Sequence, residues 1–192
     1  MALSIGIARA ALNPAERCGD AAHAWQMDDG RAVIAIADGL GHGAEAAHAA
    51  DTAMAYVGGH LALAPLELVA GLHEALAATR GAAIAVAYVD PLAGRLTHVA
   101  VGNIRAGIFG WRTSRLDSYP GVVGSGYRRL QPTEAPLRRG DVLVLWTDGV
   151  DERLSLPADS DPDAAALAGQ LLQAYSHGGD DSCVVVARLD AA

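Results

Sequence analysis

The stretch Ala32-Val33-Ile34-Ala35-Ile36-Ala37-Asp38-Gly39-Leu40-Gly41-His42-Gly43 decides how this chain folds. Its first six residues are short, apolar and partly β-branched, with a polar turn before them and glycine after, which predicts a buried strand rather than a helix. The strand stops at an aspartate followed by glycine. A second run repeats the form: Val142 to Trp146, then Thr147-Asp148-Gly149. A carboxylate placed where an apolar strand meets a glycine is carried by a rigid element yet reaches the rim of the sheet, where ligands enter.

Working outward, strands are expected over Leu3 to Ala8 and His23 to Met27, with Asp28-Asp29-Gly30 as a hairpin turn into the strand from Ala32. The Ala-rich segment from Ala44 to about Ala62 reads as a helix, and Pro65 opens a second over Leu66 to Thr79, with Leu68, Leu72, Ala75 and Leu76 on one face. A meander follows: Ala83 to Val89, Leu96 to Val101 and Arg105 to Phe109, the first two joined by the turn from Pro91 to Gly94. Tyr119 to Gly126 is glycine-rich and reads as irregular. Beyond Trp146 come a helix over Ala164 to Tyr175 and a last strand over Ser182 to Arg188. Strands grouped into meanders and separated by paired helices, rather than alternating βαβα, predict an α+β class: an α/β/β/α sandwich of two antiparallel sheets flanked by helices.

Composition narrows the rest. A chain of 192 residues, 52% hydrophobic, has the material for one sizeable core and is expected to form one domain over residues 1–192. With 14 Lys+Arg against 22 Asp+Glu the formal charge is -8, so nucleic acid would meet a repulsive field, and no basic run offers it or an anionic membrane a landing site. Apolar runs are broken every few residues, far short of the ~20 needed to span a bilayer, and the N-terminus lacks a basic region ahead of an apolar one. Cys18 and Cys183 form no C-x-x-C pair and read as small buried side chains in a reducing, cytoplasmic setting.

Four aspartates sit at the ends of expected strands: Asp20, Asp38, Asp148 and Asp180. Were they to converge, their repulsion would call for a hard divalent cation, and an all-oxygen donor set favours Mg2+ or Mn2+ over zinc. Gly39, having no side chain, could also turn its carbonyl toward an ion. Taken singly, each Asp-Gly is an ordinary turn, and the joint placement makes the case.

The order Gly19-Asp20, Ala37-Asp38-Gly39-Leu40-Gly41-His42-Gly43, Val101-Gly102-Asn103, Gly140-Asp141 through Thr147-Asp148-Gly149, and Gly179-Asp180-Asp181-Ser182 resembles the PPM (protein phosphatase 2C) superfamily. Within it the match is to the bacterial SpoIIE-like branch, and the short D-G-L-G-H-G form is similar to RsbX-type phosphatases that act on stressosome proteins. The resemblance implies a metal-dependent serine/threonine phosphatase with two ions, Mn2+ or Mg2+. Asp38 would bridge them, the Gly39 carbonyl would bind one, Asp148 and Asp180 would hold the other, and Asp20 would reach a metal directly or through water. A water activated by both ions would attack phosphoserine or phosphothreonine in line. It further implies a partner: a phosphorylated STAS-domain protein, either a stressosome or an anti-anti-sigma component.

Two departures stand out. Many relatives carry His directly after Asp-Gly as the proposed general acid; here Leu40 stands there and His42 comes two residues later, as a general-acid candidate or a packing or capping residue of the following helix. The phosphate-binding Arg of eukaryotic members falls on Ala15, with Arg17 and Arg9 nearby as substitutes or plain surface charges. His177 lies close enough to Asp180 to line the site, while Asn103 reads as a turn residue. The other histidines, His23, His48, His60, His73 and His98, form no H-x-x-x-H pair.

Two other functions fit parts of the sequence. Gly39-Leu40-Gly41-His42-Gly43-Ala44 matches the dinucleotide pattern G-x-G-x-x-A, but Asp38 would face the pyrophosphate and a second helix follows where a strand is needed. A non-catalytic member of the same fold, binding a phosphorylated partner, would not require all four aspartates. The matched blocks span Gly19 to Val186, so no built-in regulator is expected, and Gly149 to Gly179 is short for a substrate-gripping flap. A folded substrate docked by shape is therefore expected.

Overall fold

Two five-stranded antiparallel sheets stack face to face, with helices on both outer faces. The structure is a computed structural model that describes residues 2–157 and 163–190; the part of the Gly149 to Gly179 span at 158–162 lies outside the described residues. In chain order the elements are β1 (Ala2–Ala10), β2 (Asp20–Gln26), β3 (Ala32–Gly39), α1 (Ala44–Gly59), α2 (Pro65–Ala75), β4 (Ala82–Asp90), β5 (Arg95–Val101), β6 (Arg105–Phe109), β7 (Ser114–Leu116), β8 (Gly121–Val122), β9 (Gly126–Tyr127), β10 (Thr133–Pro136), β11 (Val142–Trp146), α3 (Ala164–Tyr175) and β12 (Ser182–Asp190). One sheet runs β1-β12-β11-β6-β7 and the other β10-β5-β4-β3-β2, while β8 and β9 form a small separate hairpin. The α+β sandwich expected from the strand grouping is the observed architecture.

Strand alternation builds three apolar layers. Ile34 and Ile36 of β3, Ala85 and Ala87 of β4, and Leu143 and Leu145 of β11 fill the space between the sheets. The opposite faces, Val33 and Ala35 of β3 with Val86 of β4, pack under α1 and α2. Val144 and Trp146 of β11 and Val184 and Val186 of β12 pack under α3. The central strands are buried on both faces, which is why β3, β4, β11 and β12 read as nearly unbroken apolar runs. Helix α1 is alanine-rich for a steric reason: a Cβ on Gly39 would stand 2.0 Å from the Ala46 carbonyl oxygen, so the helix backbone lies directly on the strand. Among the described residues no helix is long and apolar enough to cross a membrane.

The differences from expectation lie at the edges. β2 begins at Asp20, three residues before His23, because Asp20 pairs in register with Asp38. Helix α1 stops at Gly59 and α2 at Ala75. β7 and β10 are edge strands of three and four residues. The glycine-rich stretch contains the β8–β9 hairpin, hung on the start of β4 by paired Ala82 and Val123 backbone bonds of 3.0 and 2.9 Å.

His98 is a polar residue inside this apolar build. It shares the face of Leu96 and Ala100, which point between the sheets, and neither ring nitrogen has a hydrogen-bond partner among the described residues. Burial pushes its pKa down from 6.5 to about 4. A folded value below the unfolded one means the fold favours the neutral ring: the contribution is whole above pH 6.5 and is lost as pH falls through 4, on the order of 3 kcal/mol in all. His98→Leu is therefore expected to flatten the fall in urea midpoint between pH 6.5 and 4, and to raise the midpoint at pH 5; an unchanged acid slope would show that His98 does not cause it.

Candidate metal centre

One end of the sandwich gathers the polar motifs. β3 ends there in Asp38-Gly39, β5 runs out into Gly102-Asn103, β11 into Thr147-Asp148-Gly149, and Asp180 stands two residues before β12. Asp38, Asp148 and Asp180 line a single cleft of about 320 Å³ with Leu40, Gly41, Asn103, Gly121 and Val122. A larger cavity, about 640 Å³, lies at the opposite end of the sheets around Leu63, Tyr88 and Arg95 and holds none of these three aspartates.

The Asp148 carboxylate and the turn that carries it are fixed locally. Asn103 Nδ2 donates to Asp148 Oδ2 at 2.7 Å. The Asp148-Gly149 turn is clamped from behind: the His177 amide and the Ser182 hydroxyl both donate to the Gly149 carbonyl at 3.1 Å. His177 Nδ1 accepts from the Gly179 amide at 3.1 Å, leaving Nε2 to donate to the Asp148 carbonyl at 2.8 Å. His177 therefore braces the turn from outside the cleft lining. Gly149 is obligatory, since a Cβ there would stand 2.0 Å from the Asp181 carbonyl oxygen.

Asp20 stands behind the cleft. Fully buried and paired with Asp38 across the strands, it accepts a 2.7 Å hydrogen bond from the Thr147 hydroxyl, which in turn accepts from the Cys183 amide at 2.8 Å. Burial, then the Asp38 charge, pushes the Asp20 pKa up to about 8, against the lowering effect of Thr147. Asp38 is pushed up to about 7, first by burial and then by Asp148 and Asp180, while a hydrogen bond from Asn103 opposes the shift. Asp181 is a separate piece of the build: its two oxygens accept from the Leu12 and Gly19 amides at 2.8 and 2.7 Å and tie the segment before β2 to the start of β12. Thr147 and Asp181 are the residues that sequence reasoning missed, and Asn103, read as a turn residue, also bonds a cleft carboxylate. All three lie inside the quoted motifs, which was the available signal.

His42 is exposed and faces Glu16, Nδ1 to Oε2 3.7 Å, and is absent from the cleft lining. The N-cap of α1 is Gly43, with no side-chain cap. Arg9 Nη1 donates to the Asp20 carbonyl at 3.3 Å and Arg17 pairs with Asp51, so neither faces the cleft.

The donor set suits a hard cation: three carboxylates share one cleft, none pairs with an arginine, and burial together with the neighbouring Asp148 and Asp180 charges makes Asp38 resist ionisation. Among the described residues no three His, Cys, Asp or Glu side chains form a ready-made ligand shell for one ion. An ion in the cleft would keep water in its shell, as Mg2+ commonly does.

The raised carboxylates set a pH signature for the metal-free protein. Their folded pKa values lie above the usual 3.8, so the stability they contribute is whole below that value and is lost as pH rises through 7 to 8. In chelator the melting temperature is expected to fall between pH 6 and 8.5, and Asp20→Asn, which retains an acceptor for Thr147, to weaken that fall. Thermal melts across the range would check it; a flat profile would show that the carboxylates do not repel.

The chain matches the family described as Stage II sporulation protein E (SpoIIE) over residues 28–190. It is similar to a structure from work on the bacterial stressosome as a modular system adapted to control secondary messenger signalling: 29% identity, TM-score 0.91, covering 98% of this chain and 100% of that one. RsbX in complex with magnesium is 17% identical, TM-score 0.82, with 96% and 94% covered. The catalytic domain of the serine/threonine phosphatase PstP with two manganese ions is 18% identical, TM-score 0.75, with 97% of both chains covered. At that identity these last two establish a common fold. No curated protein sequence matches the chain. The family match over residues 28–190, most of the chain, on a sandwich of two antiparallel sheets places the chain in the SpoIIE family.

Proposed function

We propose that the chain is a metal-dependent phosphatase that removes phosphate from serine or threonine of a partner protein in the cytoplasm. The observation that carries this reading is the convergence of Asp38, Asp148 and Asp180 in one cleft, contributed by both sheets. Mn2+ or Mg2+, the ions found with PstP and RsbX, would supply there an activated water and positive charge against the phosphoryl oxygens. In this reading Asp38, the Gly39 carbonyl, Asp148 and Asp180 are the groups that would hold the ions. Asn103 keeps the Asp148 carboxylate turned into the cleft, and Thr147 fixes Asp20 behind Asp38. His42 serves as the proton donor to the departing serine oxygen only if the Leu40–Gly43 loop carries it inward from Glu16.

Hydrolysis of an aryl phosphate is expected to require Mn2+ or Mg2+ and to vanish in chelator. Asp38→Ala and Asp148→Ala should each lower kcat by at least ~10³-fold in a folded protein, and His42→Ala by no more than ~10²-fold, the bottom of the range for a general acid. Full activity in excess chelator would overturn the metal reading, and a His42→Ala loss equal to that of Asp38→Ala would place His42 at the chemistry.

The partner we propose is a phosphorylated STAS-domain protein, a stressosome or anti-anti-sigma component. The family resemblance and the stressosome context of the 29%-identical structure support it. A folded partner is gripped by contacts remote from the phosphate, so the intact phosphorylated domain should be cleaved with a kcat/KM at least ~10-fold above that of its phosphopeptide. Equal values would refute docking.

A further inference from the structure

The cleft is built for cations, and that raises a difficulty for its substrate. A phosphomonoester dianion entering it meets Asp38, Asp148 and Asp180, and no positively charged side chain is among the lining residues. Bound ions would neutralise part of that field, but holding the phosphate in one orientation needs a directional donor. Every one of the 14 Lys+Arg residues in the chain is an arginine, so a fixed side-chain cation can only be a guanidinium. The arginines near the motifs are taken: Arg9 by the Asp20 carbonyl, Arg17 by Asp51, Arg105 by Glu152.

Arg80 is not. It is exposed, and no hydrogen bond, ion pair or ring contact involves its side chain among the described residues. Its Nη1 stands 3.0 Å from the point where a Cβ on Gly41 would lie, and Gly41 lines the cleft. Any side chain at position 41 would intrude on that space, and the φ of +85° there favours glycine in any case. The backbone on either side of Arg80 is pinned. Thr79 Oγ1 donates to the Leu76 carbonyl at 2.8 Å and accepts from the Gly81 amide at 3.0 Å, while the Gly81 carbonyl accepts from the Leu40 amide at 3.0 Å. A Cβ on Gly81 would meet Val122 Cγ1 and the Val123 carbonyl oxygen at 2.7 Å, so the β8–β9 hairpin presses on the same spot. Arg80 thus rises from the seam between two walls of the cleft, the Leu40–Gly41 loop and the hairpin.

We propose that Arg80 is the phosphate-anchoring residue, its guanidinium bonding the non-bridging oxygens of the substrate phosphate at the rim of the carboxylate cleft. The assignment rests on the phosphatase reading for its substrate. It differs from the position that the family pattern suggests, Ala15, and comes from another segment of the chain, the link between α2 and β4.

The test uses Arg80→Ala, Arg80→Lys and, as a charge-matched control, Arg17→Ala. Calorimetric titration with inorganic phosphate in saturating Mg2+ is set beside steady-state hydrolysis of an aryl phosphate, Mg2+ affinity and melting temperature. Arg80→Ala is expected to weaken phosphate binding and raise KM about 10-fold or more, with Mg2+ affinity and melting temperature unchanged; Arg80→Lys should recover part of the loss, and Arg17→Ala should match wild type. Unchanged phosphate affinity in Arg80→Ala, or an equal loss in Arg17→Ala, overturns the assignment while leaving the phosphatase reading intact. A wild type that binds phosphate through Arg80 but hydrolyses no ester overturns the phosphatase reading alone. A wild type that binds no phosphate overturns the anchor.

Discussion

Asp20 and Asp38 face each other across β2 and β3, two carboxyl groups directly opposite in a sheet that repel once both are ionised, and both are largely removed from water. Such a pair is destabilising wherever it occurs. The surroundings hold it in place: Thr147 reaches across from the other sheet to bond Asp20, and Asp181 secures Gly19, the residue before it. These two links cross between sheets and connect residues 127 and 162 apart in sequence. The three apolar layers supply most of the driving force for folding and offset the cost of holding the carboxyl groups close together.

The aspartates consequently divide into two sorts. Asp38, Asp148 and Asp180 present oxygens to an open cleft. Asp20 and Asp181 are buried and accept hydrogen bonds from a hydroxyl or from backbone amides, which makes them braces for the others. The adjacent pair Asp180-Asp181, in the bend just ahead of β12, splits between the roles. One carboxylate faces the cleft and the next faces the segment before β2.

The strands read from sequence include β1, β5 and β6 as well as β3, β4, β11 and β12, and the last four stand out because burial on both faces imposes an apolar run that depends on no neighbour. β7, β8, β9 and β10 were not legible. They have two to four residues each, and β10 even contains Pro136; only the partner strand makes them strands. The start of β2 was missed for a related reason. A strand that opens on a charged residue contradicts local preference, and only pairing with β3 overrides it. At the site, aspartates ahead of glycines were visible as a pattern because the close approach of backbone at Gly39 and Gly149 demands glycine. The work of Asn103 and Thr147 was hidden, because it consists of single hydrogen bonds to residues far away in sequence.

The contact between Gly39 and Ala46 carries one more consequence. Elsewhere helices rest on sheets through a layer of side chains, which can change rotamer and take up a small displacement. Here the α1 backbone lies on the strand with no such layer, and the residue it touches is the immediate neighbour of Asp38. The joint is stiff where most helix–sheet joints are cushioned. A push along the outer face of α1 would reach the Asp38 carboxylate almost undamped, so the helix and the strand end behave mechanically as one rigid part.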